Sequence, residues 1–441
     1  MEFTKCQVVG EHSGLNIAAV LLAVIKEYGF QDFVGYFVGD NAESNDVAVD
    51  AVLRVLYPKW SAKMRKQRRL RCFGHITNLC AQAFIIGKDA EKVCKQIDTA
   101  TREMDFKKVH ELWKKQGAVG LLQNLIRYIR LSPQRRQFFK NIVIGGDLGQ
   151  FDGLELLQCN QTRWNSLFVC IGRALNVRER VERFCNNYTP PPRSKSKALT
   201  DAEKLKIHHW TELEHLHTHL ETFYEATLMV EGRNSTPADH FFTLDWLMGE
   251  LDQMQDEFDT LASDHCGEPS QQTYEHLSGA SVSAWAKCEK YFKLADEAPA
   301  YYAAIVLNPT LKLRWFEEKW GQDPKKRDWI GLVEGLVKEL WQEYKGKTFD
   351  NNCSTAVPKT SQVDRTHKKK SLLREPTKNF ASHSLRKLLH QRLIDSPTTY
   401  RQTFMSLKTL MTLNQLHTGM SATPASQTSP GLPLIFWLRL Q

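Results

Sequence analysis

The chain has 441 residues, 42% of them hydrophobic and 10% aromatic, which is enough for buried cores and suggests two to three domains at ~100–200 residues each; wholesale disorder is excluded. Its 59 Lys+Arg against 50 Asp+Glu give a formal charge of +9, but residues 351–441 hold 13 of the cations and 3 of the acids, leaving 46 and 47 in the first 350. The global excess therefore says nothing about the body, and the two parts are judged separately. The longest apolar runs, 17–25 and 432–438, fall well short of the ~20 residues that span a bilayer. The start Met1-Glu2-Phe3-Thr4-Lys5-Cys6 has no basic stretch leading into an apolar one. An intracellular protein without a membrane span is expected, its ten scattered cysteines mostly reduced thiols. They contain no C-x2-C pair, so the usual zinc-finger spacing is absent.

In chain order, Leu15–Tyr28 reads as a helix closed by Gly29, a residue that accepts the left-handed conformation of a helix end. Phe33–Gly39 is short, aromatic and β-branched between polar residues, the pattern of a buried strand, and leaves Asp40 at its carboxyl end. Ser44–Leu56 is helical, with Ala48, Val49, Val52, Leu53 and Leu56 on one face and Pro58 beyond it. Leu70–Phe73 is a second short strand candidate, and Ile76–Ile86 a helix ending at Gly87. Alternation of helix and strand over residues 1–90 argues for an open α/β sheet covered by helices. Beyond residue 90 the strand signals stop. Helices are expected at 89–116, 118–131, 163–189, 200–231, 238–262, 271–296, 298–306 and 325–346, with a Pro/Ser/Lys linker near 190–197. Residues 347–441 form a basic Ser/Thr-rich tail that is expected to be disordered rather than a compact domain.

Three local patterns carry chemistry. Asp40, in the run Asp40-Asn41-Ala42-Glu43-Ser44-Asn45-Asp46, stands where α/β folds open a ligand crevice; equally, Asp40, Ser44 and Asn45 can cap the following helix. Cys72 and His75 form one C-x2-H half-site, or two buried packing residues. Lys59, Lys63, Arg65, Lys66, Arg68, Arg69 and Arg71 place seven cations and no acid in thirteen residues, and Arg127, Arg130, Arg135, Arg136 and Lys140 form a second cluster. Such clusters neutralise phosphates, or else are solvated surface.

Taken together, four blocks resemble the hAT superfamily of DNA transposases and their domesticated relatives, in particular the fungal type, over about residues 1–346. Asp40-Asn41-Ala42-x-Ser44-Asn45-Asp46 looks like the family's DNAsNND element, and Arg71-Cys72-x-x-His75-x-x-Asn78-Leu79 like its RCxxHxxNL element. Thr162-Arg163-Trp164-Asn165-Ser166 looks like TRWNS, and Ala304–Lys312 with Trp320 and Trp341 like the LnPxxK stretch with its two tryptophans. The resemblance implies an RNase H-like sheet, here partial over 1–90, interrupted by a large all-α insertion over 91–346, mostly helical overall. It implies ancestry in strand cleavage and transfer by three carboxylates on two Mg2+ ions, which together activate the attacking oxygen and stabilise the leaving one. Asp40 matches the second acid. The first belongs on a strand upstream of residue 12 and the third after the insertion, where Asp364, Glu375 and Asp395 stand in no family-like context, so Mg2+ is not expected to be held productively.

The family's dimerisation segment is not recognisable, and the tail in its place looks like sequence from a shifted frame or an unspliced intron. The resemblance further implies that Trp164 can stack on a displaced base beside Arg163, against an ordinary helix anchor, and that Asn41, Asn45, Asp46, Cys72, His75 and Asn78 are structural. The expectation is a nuclear, catalytically incomplete transposase-derived protein with weak or non-specific DNA binding through Arg163, Trp164, Lys63, Arg65, Lys66, Arg68, Arg69, Arg135 and Arg136. The alternative is a helical module that binds protein partners and no DNA, favoured by the near-zero charge of the body.

Overall fold

In the computed structural model the described residues are 13–144, 153–159, 163–192, 198–230, 235–324 and 326–345, with the backbone of 434–437. The chain divides into two compact units, residues 1–348 with 433–441, and residues 349–432; the second lies wholly outside the described residues.

The first unit starts with a helical hairpin around a strand. Helix α1 (Gly14–Glu27) begins at Ser13, whose Oγ accepts from the Asn16 N–H, and helix α2 (Glu43–Leu56) packs along it. Between them runs β1 (Val34–Gly39), buried over its whole length, as a parallel strand covered on both faces must be. Phe37 faces the hairpin core of Ile17, Ile25, Val49, Val52 and Leu53, while Tyr36 and Val38 face the helical body. A five-residue helix, α3 (Ala62–Lys66), leads into β2 (Arg69–Arg71), which pairs in parallel with β1 in the register Val38↔Leu70. This crossover is a βαβ unit. On the other edge of β1 lies β3 (Leu434–Trp437), also parallel, giving the order β2-β1-β3.

The rest of the unit is helical, on a single large core. Helix α4 (Phe73–Ile86) is buried nearly all round, and α5 (Ala90–Arg102), α6 (Phe106–Lys114), α7 (Gly117–Arg130) and α8 (Pro133–Asn141) follow it. After a strap at 153–159 come α9 (Trp164–Asn176), α10 (Arg178–Asn187) and the long helices α11 (Ile207–Val230), α12 (Pro237–Asp264) and α13 (Gln271–Ala295). Short α14 (Ala300–Val306) and α15 (Arg314–Trp320) precede α16 (Trp329–Lys345). Trp320 anchors this end, packed edge-on against Phe316 and Trp329 beside Phe241 and Phe292. Among the described residues no helix is long and apolar enough to cross a membrane.

A mostly helical fold around a small parallel sheet is therefore present, with differences in detail. The single helix expected over 89–116 is two helices, because Met104 adopts φ 56° and Asp105 caps a new start at Phe106, its Oδ1 accepting from the Lys108 N–H. The helix expected over 163–189 breaks at Val177, and the second strand begins at Arg69 rather than Leu70. Ser132-Pro133 does end a helix, yet it opens another, with Ser132 as N-cap and Pro133 in the first turn, where its missing N–H costs nothing. Four residues of the tail pair as β3; the rest of 347–441, and residues 193–197 of the linker, lie outside the described residues. Most described cysteines are thiols, but Cys159 and Cys170 form a disulfide, the strap bringing their Cα atoms to 6.2 Å.

Gly14 marks the tightest approach of the hairpin: a Cβ there would lie 2.6 Å from the Ser44 carbonyl oxygen and 2.6 Å from the Val47 Cβ. Gly14→Ala should therefore cost about 1–3 kcal/mol by overpacking, read as a lower midpoint of urea unfolding; an unchanged midpoint would contradict this packing.

Candidate functional site

The site to be judged is the carboxyl end of β1, built from the strand itself, the start of α2, β2 and the start of α4. Asp40 leaves the strand and folds back: its Oδ1 accepts from the Ala42 N–H at 3.1 Å and from Asn45 Nδ2 at 2.6 Å. This is an Asx-type turn that shapes the entry to α2, with Asn45 itself buried. Asn41 sits half-buried beside the Tyr291 hydroxyl of α13.

Asp46, one turn into α2, receives both charged residues of β2. Arg69 Nε reaches its Oδ1 at 3.0 Å; Arg71 reaches Oδ1 at 2.7 Å and Oδ2 at 3.1 Å. Arg69 also donates to the carbonyls of Gly39 (3.2 Å), Leu70 (2.6 Å) and Asp40, so it stitches the two strand ends together. The Arg71 backbone N–H donates at 3.0 Å to the hydroxyl of Tyr301 in α14, which donates back to the Arg71 carbonyl. Arg68 is 2% exposed, held by Tyr36 Oη (2.6 Å) and Glu343 of α16 (2.6 Å) among the rings of Tyr36, Trp60 and Tyr344.

The first basic cluster thus divides into arginines that serve as framework, Arg65, Arg68, Arg69 and Arg71, and the exposed Lys59, Lys63 and Lys66. Besides the three arginines, Arg65 pairs with Asp50 at 2.6 Å, Lys63 with Glu339 at 3.3 Å and Lys66 with Glu297 at 2.8 Å. In the second cluster Arg135 is buried over the Tyr128 ring at 3.9 Å and Arg127 over the Phe106 ring at 4.1 Å, while Arg136 remains at the surface with Glu155. Trp164 is 3% exposed, packed between Phe168 and Phe223, and offers no face to a base; the helix-anchor reading is the one that fits. Arg163 beside it is exposed. Asn78 Oδ1 of α4 accepts from the Trp164 N–H at 3.2 Å, capping α9 from 86 residues away.

His75, half-buried in the first turn of α4, is pushed below its usual range by burial, while the carboxylates of Asp40 and Glu91 pull the other way. Glu91 is itself bound by Lys287 at 2.5 Å. Cys72 donates its backbone N–H to the Gly39 carbonyl at 2.7 Å, and its thiol is free. These residues do not fit a two-metal centre, because Asp40 has one oxygen committed twice, Asp46 neutralises two arginines and Glu91 a lysine. Among the described residues no group of three His, Cys, Asp or Glu side chains is placed to hold a metal ion.

No protein-family model and no solved structure matches the chain. It is similar to the candidate transcriptional regulator tpeD of Talaromyces stipitatus, at 21% identity over 269 residues, or 58% of this chain; the chain spans 29% of that protein's length.

The depressed His75 has a consequence for stability. The unfolded chain takes up a proton near 6.5 that folded His75 resists, so below that pH the unfolded state binds more protons and stability falls with pH. Half-buried His209, His215 and His217 and buried His240 act in the same direction, whereas His276, raised by Glu212, opposes them. Thermal midpoints should drop from pH 7.5 to 5.5, and less steeply in His75→Gln; identical slopes for the two proteins would contradict the assignment.

Proposed function

We propose that the chain derives from a hAT-type transposase, keeps the family's framework, and has lost strand cleavage, acting instead by association in the nucleus. The observation that carries this reading is the way the four family-like blocks meet. Asp46 of the first binds Arg71 of the second, Arg71 binds Tyr301, three residues before the fourth begins, and Asn78 of the second caps the helix that opens at Trp164 of the third. Residues up to about 260 positions apart in sequence meet along one chain of hydrogen bonds, as inherited framework elements would. The parallel sheet with a carboxylate at the end of its central strand is consistent with a partial RNase H-like core.

The same geometry supports the loss of cleavage. A two-ion mechanism needs several free carboxylate oxygens facing one crevice. Asp40 is tied into its own turn, and its neighbours Asp46 and Glu91 are already paired with cations. The similarity to a candidate transcriptional regulator supports an associative role without chemistry.

Two partners compete within this reading. Nucleic acid is favoured by the second basic cluster, where Arg136 and Lys140 remain exposed. A protein partner is favoured by the first cluster, in which the four arginines and Lys63 and Lys66 already pair with carboxylates of this chain. Binding to plasmid and hairpin DNA between about 50 and 200 mM salt separates them, since phosphate contacts give a steep salt slope.

On terminal-inverted-repeat DNA with Mg2+ or Mn2+, the protein should show no strand cleavage above the level of Asp40→Ala. Cleavage that disappears in Asp40→Ala would overturn the proposal.

A further inference from the structure

The strap at 153–159 crosses the second basic cluster and places one carboxylate in it. Arg136 Nη2 donates to Glu155 Oε2 at 2.8 Å and Oε1 at 3.1 Å, Lys140 reaches Oε1, and Arg130 Nη1 lies 3.5 Å from Oε2. The strap backbone is held as well: the carbonyl of Leu154 accepts from Arg180 at 2.8 Å, that of Glu155 from Arg173 at 3.2 Å, and that of Leu156 from Arg130 at 2.7 Å. The Cys159–Cys170 disulfide ties its end to α9.

Among the described residues, Glu155 is the carboxylate with which Arg130, Arg136 and Lys140 pair, so the group carries a surplus of two positive charges. Lys140 and then Arg136 hold the Glu155 carboxyl below its usual range. Arg136 and Lys140 are 44% and 40% exposed, whereas Glu155 is 21% exposed, so the cations face solvent around a more buried anion. Two oxygens shared by three cations in this way reproduce what a phosphate group offers a cluster of arginine and lysine.

We propose that Arg130, Arg136 and Lys140 form a phosphate-binding patch for the backbone of a nucleic acid, and that Glu155 is a built-in plug which occupies the place of the phosphate and weakens binding. The inference rests on the nucleic-acid side of the proposed function. Removing the plug's charge frees Arg136 and Lys140 and leaves the strap's backbone contacts in place, including the bond from Arg130 to the Leu156 carbonyl. Nucleic-acid affinity is then set by a competition between a tethered carboxylate and an incoming phosphate, and strengthens when the strap is displaced.

The test uses the full chain and a fluorescent DNA duplex, with affinity measured at about 50 and 200 mM salt for wild type, Glu155→Gln, and Glu155→Gln carrying Arg136→Glu and Lys140→Glu. Glu155→Gln should bind roughly tenfold tighter at the lower salt, with a log–log salt slope steeper by about 1 to 2, one unit for each further phosphate neutralised. The charge reversals should remove the gain. If wild type binds with a clear salt slope and Glu155→Gln binds no better, the plug is refuted and the nucleic-acid reading stands; if neither binds, both fall. Should Glu155→Gln fail to fold, Arg136→Glu with Lys140→Glu in the wild-type chain must lower DNA affinity, and unchanged affinity would overturn the patch.

Discussion

Three arginines in and beside a three-residue strand impose the central constraint on this fold. A buried guanidinium without a carboxylate or a set of oxygens costs several kcal/mol, and within four positions Arg68 and Arg69 enter the core and Arg71 lies half-buried at its edge. Asp46 satisfies two of them, and Glu343 with two tyrosine hydroxyls satisfies the third. Because Asp46 belongs to α2 and Glu343 to α16, neutralising β2 also fixes where the first hairpin and the last helix must sit. Tyr301 adds α14 to the same strand. The sheet is small, yet it is where elements from across the chain converge.

That convergence bears on function. Motif residues are here engaged in architecture: Asp40 shapes a turn, Asp46 neutralises two arginines, Asn78 caps a helix, and Trp164 fills the core. A protein can retain such residues after chemistry is lost because their removal would unfold it. In the proposed reading, association through a surface is the activity that remains, and in the second cluster Arg130, Arg136 and Lys140 share the one described carboxylate of Glu155.

Much of the local architecture was legible. The α1 helix, the buried strand ending at Asp40 and the amphipathic α2 follow from apolar periodicity and turn residues, which act over a few positions. The break at Met104 was not, since a left-handed non-glycine residue has no compositional mark. Nor was the role of the 59–71 cluster: it contains no acid, and although Asp46 and Asp50 lie shortly before it, its other counter-ions Glu297, Glu339 and Glu343 lie more than 220 residues on. Trp164 likewise carries no sign of whether it is covered, because Phe223, which helps to bury it, arrives on α11. Glu155 was missed for a related reason, being an acid between α8 and α9 whose significance depends on the three cations around it.

The account turns on the Asp46 ion pairs being a structural keystone, and a double-mutant cycle measures this most directly. Unfolding free energies of wild type, Asp46→Asn, Arg71→Met and the double variant should give a coupling energy of about 1–2 kcal/mol, discounted for the partial exposure of Asp46. Additive effects, with a coupling near zero, would show that β2 and α2 are held together by something else and would contradict the central claim.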